Sequence, residues 1–358
     1  GRVDAQSALF PYYTDDKIND ASPYTGSRTV ALVSDGEQTS LWEPLSEQYP
    51  GVYNISRNLY KNVYGDKLIF EEINHDLELT FSYSWKSSDR YGFVRQAELK
   101  NDSIDSSKIS LIDGLQNLLP WGIEEGLQTG SSNLADAYKK NELDQDSGLG
   151  IYSLSALIVD RAEPSEALKA NTVWSLGLEN PKYLLSSLQL DYFRMGQAVE
   201  SEWDVRAERG AYFLNADFEL APKATKNWTI VADVNQNISQ ITEIREHLIN
   251  NQDLINELHQ DIELGSNELI RLVAAADGLE LTADGSKNTR HFSNTLFNIM
   301  RGGIFDLNYT IDKSDFAKYL EAANKELFQK KSNVLNPLQE QFQLGELQEL
   351  LKAESDPD

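Results

Sequence analysis

The stretch Asp76-Leu-Glu-Leu-Thr-Phe-Ser-Tyr-Ser-Trp-Lys86 alternates without a break. Leu77, Leu79, Phe81, Tyr83 and Trp85 fall on one face, and Glu78, Thr80, Ser82 and Ser84 on the other. Successive side chains of a strand point to opposite faces, so this reads as a strand with one buried and one wet side. Tyr212, Leu214, Ala216, Phe218 and Leu220 repeat the pattern against Phe213, Asn215, Asp217 and Glu219. Trp174, Leu176 and Leu178 repeat it again, as do Trp228, Ile230, Ala232 and Val234. Further strands are expected near residues 30–33, 52–64, 67–73, 91–100, 108–113 and 151–160, separated by turn-forming clusters such as Lys100-Asn-Asp-Ser103. One-sided alternation with no helices between strands favours antiparallel pairing. The fold class expected is therefore mainly β with a C-terminal α part: a large antiparallel two-sheet sandwich over residues 1–237, then helices over 238–358. Residues 118–145 interrupt the strands. A loop and a short helix over Leu134–Leu143 are expected there, lying over one sheet.

After Asn237 the period changes. Ile241, Ile244, Leu248, Ile255, Leu258 and Ile262 occupy alternating a and d positions of a heptad, with Asn251 in the missing d slot. One helix is expected over about 239–264, roughly 39 Å long, with Ser239 as N-cap and Gly265 as stop. A second is expected around 289–301, carrying Phe292, Leu296 and Ile299 and closing at Gly302-Gly303. A third, about 313–330, places Phe316, Leu320, Ala323 and Leu327 in a stripe after a cap at Asp312. These stripes either cover each other and the sheets or dock on a domain beyond residue 358.

Composition bounds the function. A chain of 358 residues suggests about two domains. Its 57 acidic against 32 basic residues give a net charge of −25, which argues against nucleic acid or anionic membranes as partners. Sixteen Tyr, 13 Phe and 6 Trp are too many core-formers for a disordered acidic chain. The absence of cysteine rules out disulfides, zinc-thiolate sites, iron–sulfur ligation and thiol nucleophiles. It suits the cytoplasm, the compartment expected, and leaves the periplasm open. The chain opens Gly1-Arg-Val3 without an initiator Met or signal-like region and stops at Glu354-Ser-Asp-Pro-Asp358, so a piece of a longer protein is expected.

No catalytic or metal motif emerges. The four histidines, His75, His247, His259 and His291, include no pair at the i, i+4 spacing of a helical zinc site. There is no Gly-x-Ser-x-Gly elbow, no phosphate-binding loop and no dinucleotide fingerprint. Asp144-Gln-Asp146-Ser-Gly148 lacks the Gly and Glu that a calcium loop needs. No cofactor and no metal are expected. One local anomaly is better defined. In Tyr91-Gly-Phe-Val-Arg95-Gln-Ala-Glu-Leu99, alternation puts Arg95 on the face of Tyr91, Phe93, Ala97 and Leu99. A core-facing guanidinium needs a partner, because burying an unpaired charge costs several kcal/mol. Asp113 is the candidate. The pair is either a structural tie, or part of a rim where Arg95, Asp113, Gln116 and Asn117 meet a sugar or phosphate beside Trp121 as a stacking platform.

These same segments carry a resemblance. Tyr91–Asn101, then Asp113-Gly-Leu-Gln-Asn-Leu-Leu-Pro-Trp-Gly-Ile123, then Arg290-His-Phe-Ser-Asn-Thr-Leu-Phe-Asn-Ile-Met-Arg-Gly-Gly-Ile-Phe305 resemble the N-terminal region of long bacterial cellobiose-phosphorylase-like proteins. That group is similar in architecture to glycoside hydrolase family 94, the inverting disaccharide phosphorylases. The resemblance implies a galactose-mutarotase-like β-supersandwich, linker helices, and then an (α/α)6 barrel that this sequence does not reach. It implies that the general acid and most sugar and phosphate contacts belong to that barrel, so no catalytic residue is carried over. Mutarotases use a histidine pair with a glutamate, and the strand-rich half has only His75.

The leading expectation is a non-catalytic part of a multidomain glycoside phosphorylase or hydrolase. It would shape the active site, support a homodimer, and meet an oligosaccharide or sugar phosphate through the whole enzyme. The alternatives are a stand-alone carbohydrate-binding module, using aromatics near Trp121 or Trp42, and a structural or assembly domain.

Overall fold

The computed structural model describes residues 8–11, 20–34, 36, 38–156, 158, 167–304 and 309–353. Gly1–Val3, Phe305, Glu354–Asp358 and the far end of the strand expected at 151–160 lie outside the described residues. Two compact units divide the chain: Gly1–Lys61 with Asp66–Glu263, and Asn62–Gly65 with Leu264–Asp358.

In the first unit the chain runs β1 (Gly26–Ser34), β2 (Thr39–Trp42), β3 (Ile55–Lys61), β4 (Leu68–Asn74), β5 (Leu79–Ser88), β6 (Gly92–Asn101) and β7 (Ser107–Leu118). Two short helices, α1 (Glu125–Gly130) and α2 (Ser132–Ala137), precede β8 (Lys139–Asp144), β9 (Leu149–Leu154), β10 (Lys169–Leu176) and β11 (Lys182–Leu184). Helix α3 (Leu190–Arg194), β12 (Asp204–Arg206), β13 (Gly210–Leu220) and β14 (Thr225–Asn237) follow. Helix α4 (Ile238–Asn250) comes next, and α5 (Leu254–Asp277) begins in this unit and continues into the second. The strands form a five-stranded sheet, β11-β13-β7-β1-β2, and a nine-stranded sheet, β12-β8-β9-β10-β14-β6-β5-β4-β3. Every pairing is antiparallel.

Alternation decides which face is buried. Ala31, Ile109, Leu111, Tyr212 and Leu214 from the smaller sheet share one core with Leu79, Phe81, Ala97, Leu99, Trp228 and Ile230 from the larger. The other face of the larger sheet is partly covered by the helices. Ile241, Ile244, Leu248, Ile255, Leu258 and Ile262, the whole heptad stripe, pack with Val94, Leu149, Trp174 and Val231. Tyr91 joins this outer cluster, not the face of Arg95, because Gly92 (φ +97°), the first residue of β6, turns the chain there.

The helices differ from expectation in ways local chemistry explains. The cap of α4 is Asn237, not Ser239: its side chain accepts from Ser239 N and Gln240 N, while Gln240 reaches back to Asn237 N. The helix expected over 239–264 is two, because Asn251 adopts an extended conformation and spends its side chain on Asp253 N and Glu257. Gly265 does not end α5; the left-handed residue that follows the helix is Gly278 (φ +74°). Residues 139–143, expected within the loop and short helix over Leu134–Leu143, belong instead to β8, with Lys139, Asn141 and Leu143 buried on one face.

The second unit contains α6 (Gly285–Met300), capped by Asp284 and followed by left-handed Gly302. Then come β15 (Thr310–Asp312), α7 (Lys313–Ala323), α8 (Lys325–Lys331), a 3-10 turn at Ser332–Leu335, β16 (Gln341–Gln343) and α9 (Leu344–Ala353). Asp312 caps α7 as expected, but Asn324 splits the third helix and caps α8. Strands β15 and β16 pair antiparallel inside a segment whose sequence predicts helices alone. Leu335, Leu338, Phe342 and Leu347 form its small core with Phe316, Leu320 and Phe328.

Candidate functional site

Arg95 and Asp113 meet where the two sheets face each other. Arg95 Nη1 donates to Asp113 Oδ2 at 2.6 Å and Nη2 donates to Oδ1 at 2.8 Å, and both side chains are 0% exposed. Thr29 Oγ1 and Trp228 Nε1 each donate to the same carboxylate at 2.6 Å. Arg95 Nε donates to Ser27 Oγ at 3.1 Å, and its guanidinium lies 4.5 Å from the ring centre of Tyr83. Four donors on one carboxylate and a bidentate fork on one guanidinium satisfy the burial requirement of both charges. Burial beside this pair pushes the Tyr83 hydroxyl above its ordinary range, with Arg95 opposing.

The remaining expected residues separate. Gln116 is buried, and its Nε2 donates to Pro23 O at 2.9 Å. Asn117 (φ +57°) is the extra residue of a bulge, since Leu118 opposes Gly210 while Gln116 opposes Ala211. Its Nδ2 donates to Thr25 Oγ1 at 2.9 Å. Trp121 is half-buried, with Lys169 Nζ 5.0 Å from its ring centre, and its buried indole N–H has no partner among the described residues. Trp42 is no exposed platform: it is 2% exposed and donates to Glu72 Oε1 at 2.8 Å.

A larger concavity lies on the outer face of the nine-stranded sheet, next to the first turns of α5, with a volume of about 990 Å³. Its floor is built by the wet-face positions of β4, β5, β6 and β14; α5 contributes the apolar side chains of Leu254, Ile255 and Ile262, along with His259 and Glu263. Lys86 Nζ donates to Gln96 Oε1 at 2.6 Å, and Gln96 Nε2 lies 2.7 Å from His259 Nε2. Burial and then Lys86 hold the His259 imidazole below its ordinary pKa, while burial and then Lys67 do the same to Lys86. The alternation around Ser82 marks these positions as wet; what the sequence hides is that the wet positions of distant β14 align beside them. Among the described residues no group of three or more His, Asp or Glu is placed to hold a metal ion. Among them too, no helix is long and apolar enough to cross a membrane.

The fold and this concavity define a mostly antiparallel β-protein with added helices. Residues 305–358 match the model of glycoside hydrolase family 149 insertion domain 1. No curated protein matches the chain. Solved structures to which it is similar include a bacterial glucoamylase complexed with acarbose, at 9% identity and TM-score 0.42, over 69% of this chain and 32% of that one. A protein from the human microbiome, provisionally named kojibiose phosphorylase, matches at 10% identity and TM-score 0.44, over 86% and 35%. A family GH92 alpha-mannosidase from Bacteroides thetaiotaomicron matches at 12% identity and TM-score 0.31, over 63% and 26%. The chain thus spans about a third or less of the length of these structures.

Proposed function

We propose that this chain is the non-catalytic supersandwich and linker of a multidomain glycoside phosphorylase or hydrolase of the kind that family 94 exemplifies. The observation that carries the reading is the match of residues 305–358 to an insertion domain of a glycoside hydrolase family. Arg95 and Asp113 then act as a tie between the sheets, since a ligand would have to displace Thr29, Trp228 and Ser27 to reach them. Gln116 and Asn117 hold the entry to β1 through Pro23 and Thr25. The body shapes the active site of a following (α/α)6 barrel and supports a homodimer; β3, an edge strand with exposed Leu59 and Tyr60, is the natural contact. Translating the reading frame past residue 358 tests this: about a dozen further helices are expected, and a stop codon or an unrelated domain there would count against it.

A stand-alone carbohydrate-binding module is the second reading. Trp121, half-buried, is the aromatic that this reading would use. Oligosaccharide binding that quenches tryptophan fluorescence and disappears in Trp121→Phe would support this reading over the first.

A further inference from the structure

The wet face of the nine-stranded sheet carries its polar groups in register. Glu71 on β4 opposes Ser82 on β5, Ser82 opposes Glu98 on β6, and Glu98 opposes Asn227 on β14. One step along the strands, Ser84 opposes Gln96 and Gln96 opposes Thr229, with Ile69 and Leu176 at the two ends of the row. Two parallel ranks of hydrogen-bonding groups therefore cross the strands, with one group at each ~4.8 Å strand interval.

Most wet faces of sheets are simply solvated; three features set this one apart. First, it floors a half-open concavity in which Ser84 and Thr229 are buried while Glu98 and Asn227 are exposed, and about 990 Å³ is at the upper end of the size of small-molecule sites. Second, the side chains of Ser82, Ser84 and Asn227 make no hydrogen bond among the described residues, while neighbouring Lys86, Gln96 and His259 are joined in a chain. Third, α5 beside the polar floor contributes the apolar side chains of Leu254, Ile255 and Ile262, along with His259 and Glu263. The charges lining the cavity are Lys67 and Lys86 against Glu71, Glu98 and Glu263. That acidic excess disfavours a phosphate, a uronate or a nucleic acid.

We infer that this trough binds an uncharged oligosaccharide laid across β4, β5, β6 and β14, its hydroxyl edge on the two ranks and its C–H face on α5. A pyranose chain presents that combination: hydroxyls along its edges, repeated at intervals, and apolar ring faces. The inference rests on the carbohydrate reading above and adds where on this chain the sugar lies. Carboxylates Glu71 and Glu98 accept from sugar hydroxyls, and Ser82, Ser84 and Asn227 can both donate and accept.

The test uses the whole chain. Cellohexaose, maltohexaose and mannohexaose are titrated by calorimetry, with oligogalacturonate as the charged control. At least one neutral hexasaccharide is expected to bind with millimolar or tighter affinity. Ser82→Ala/Glu98→Gln/Asn227→Ala is expected to weaken that binding about tenfold or more, as the loss of several hydrogen bonds requires, with an unchanged urea midpoint. Amide shifts of the unmutated chain, expected to change around Ser82, Glu98 and Asn227 on adding the same sugar, need no variant to fold. Absence of binding by all three hexasaccharides, equal binding by the triple variant, shifts confined to Trp121, or preference for oligogalacturonate would each overturn the inference. None of these touches the non-catalytic reading, which fails on turnover instead.

Discussion

Arg95 on β6 and Asp113 on β7 hold each other through two parallel hydrogen bonds, 2.6 and 2.8 Å long, across the interior between two sheets. Neither strand is hydrogen-bonded to the other, so the pair fixes how one sheet sits over its partner. A buried ion pair is not in itself a source of net stability, because desolvating both charges offsets their attraction. Its signature is the penalty for breaking it.

Removing one partner leaves the other charge buried. Arg95→Met is expected to cost about 3–5 kcal/mol in urea unfolding, and Asp113→Leu a similar amount. The double variant is expected to cost less than either single change, because no uncompensated charge remains. Additive losses would mean the two groups do not act as a unit.

The capping box at the start of α4 gives a second measurement. Asn237→Ala removes the acceptor for Ser239 N and Gln240 N and is expected to cost about 1 kcal/mol. Ser239→Ala, at the position the sequence favours as cap, is expected to be close to neutral by the same denaturation experiment.

Asp144 links stability to pH. Burial alone would raise its carboxyl, but hydrogen bonds from Ser147 and Arg245 outweigh it and hold the group below its ordinary value of 3.8. A depressed carboxylate favours the folded state above the ordinary pKa, and that contribution disappears as the pH falls through the lower, folded value. The difference in urea midpoint between the natural chain and Asp144→Asn is therefore expected to be constant near neutrality and to shrink below about pH 4. A difference that grows on acidification would reverse the assignment.

The same contacts show what was legible in the sequence. Period-two alternation exposes the strands because one face is buried, and it pointed to Arg95, with Asp113 as its candidate partner, because a charge on an apolar face breaks the pattern. It could not supply Thr29 or Trp228, which reach the carboxylate from 84 and 115 positions away in the chain. It misplaced Tyr91, since the positive φ of Gly92 resets the alternation. Side-chain capping by Asn237, Asn251 and Asn324 moved three helix ends because an asparagine that satisfies backbone N–H groups reads the same as one on a helix surface. The polar ranks were half visible: Ser82 and Ser84 are wet-face residues by alternation, whereas their alignment with Asn227 and Thr229 is a matter of strand order.

Gly114, next to Asp113, tests how closely the five-stranded sheet is packed there. A Cβ at this position would lie 2.0 Å from the Tyr212 carbonyl oxygen and 2.8 Å from Phe213, both on the paired strand β13. Gly114→Ala must separate backbone from backbone, and a loss of about 3 kcal/mol is expected in urea unfolding. Gly126→Ala, where a Cβ meets nothing within 4 Å, is the control expected to be neutral or slightly stabilising.

The most direct measurement of the account is turnover by the purified chain. Cellobiose, maltose and kojibiose are each incubated with the chain, with and without inorganic phosphate, and released glucose and glucose 1-phosphate are followed. No product above the enzyme-free control is expected on the proposed non-catalytic reading. Sustained release of either product, abolished by mutating a carboxylate of this chain, would contradict it.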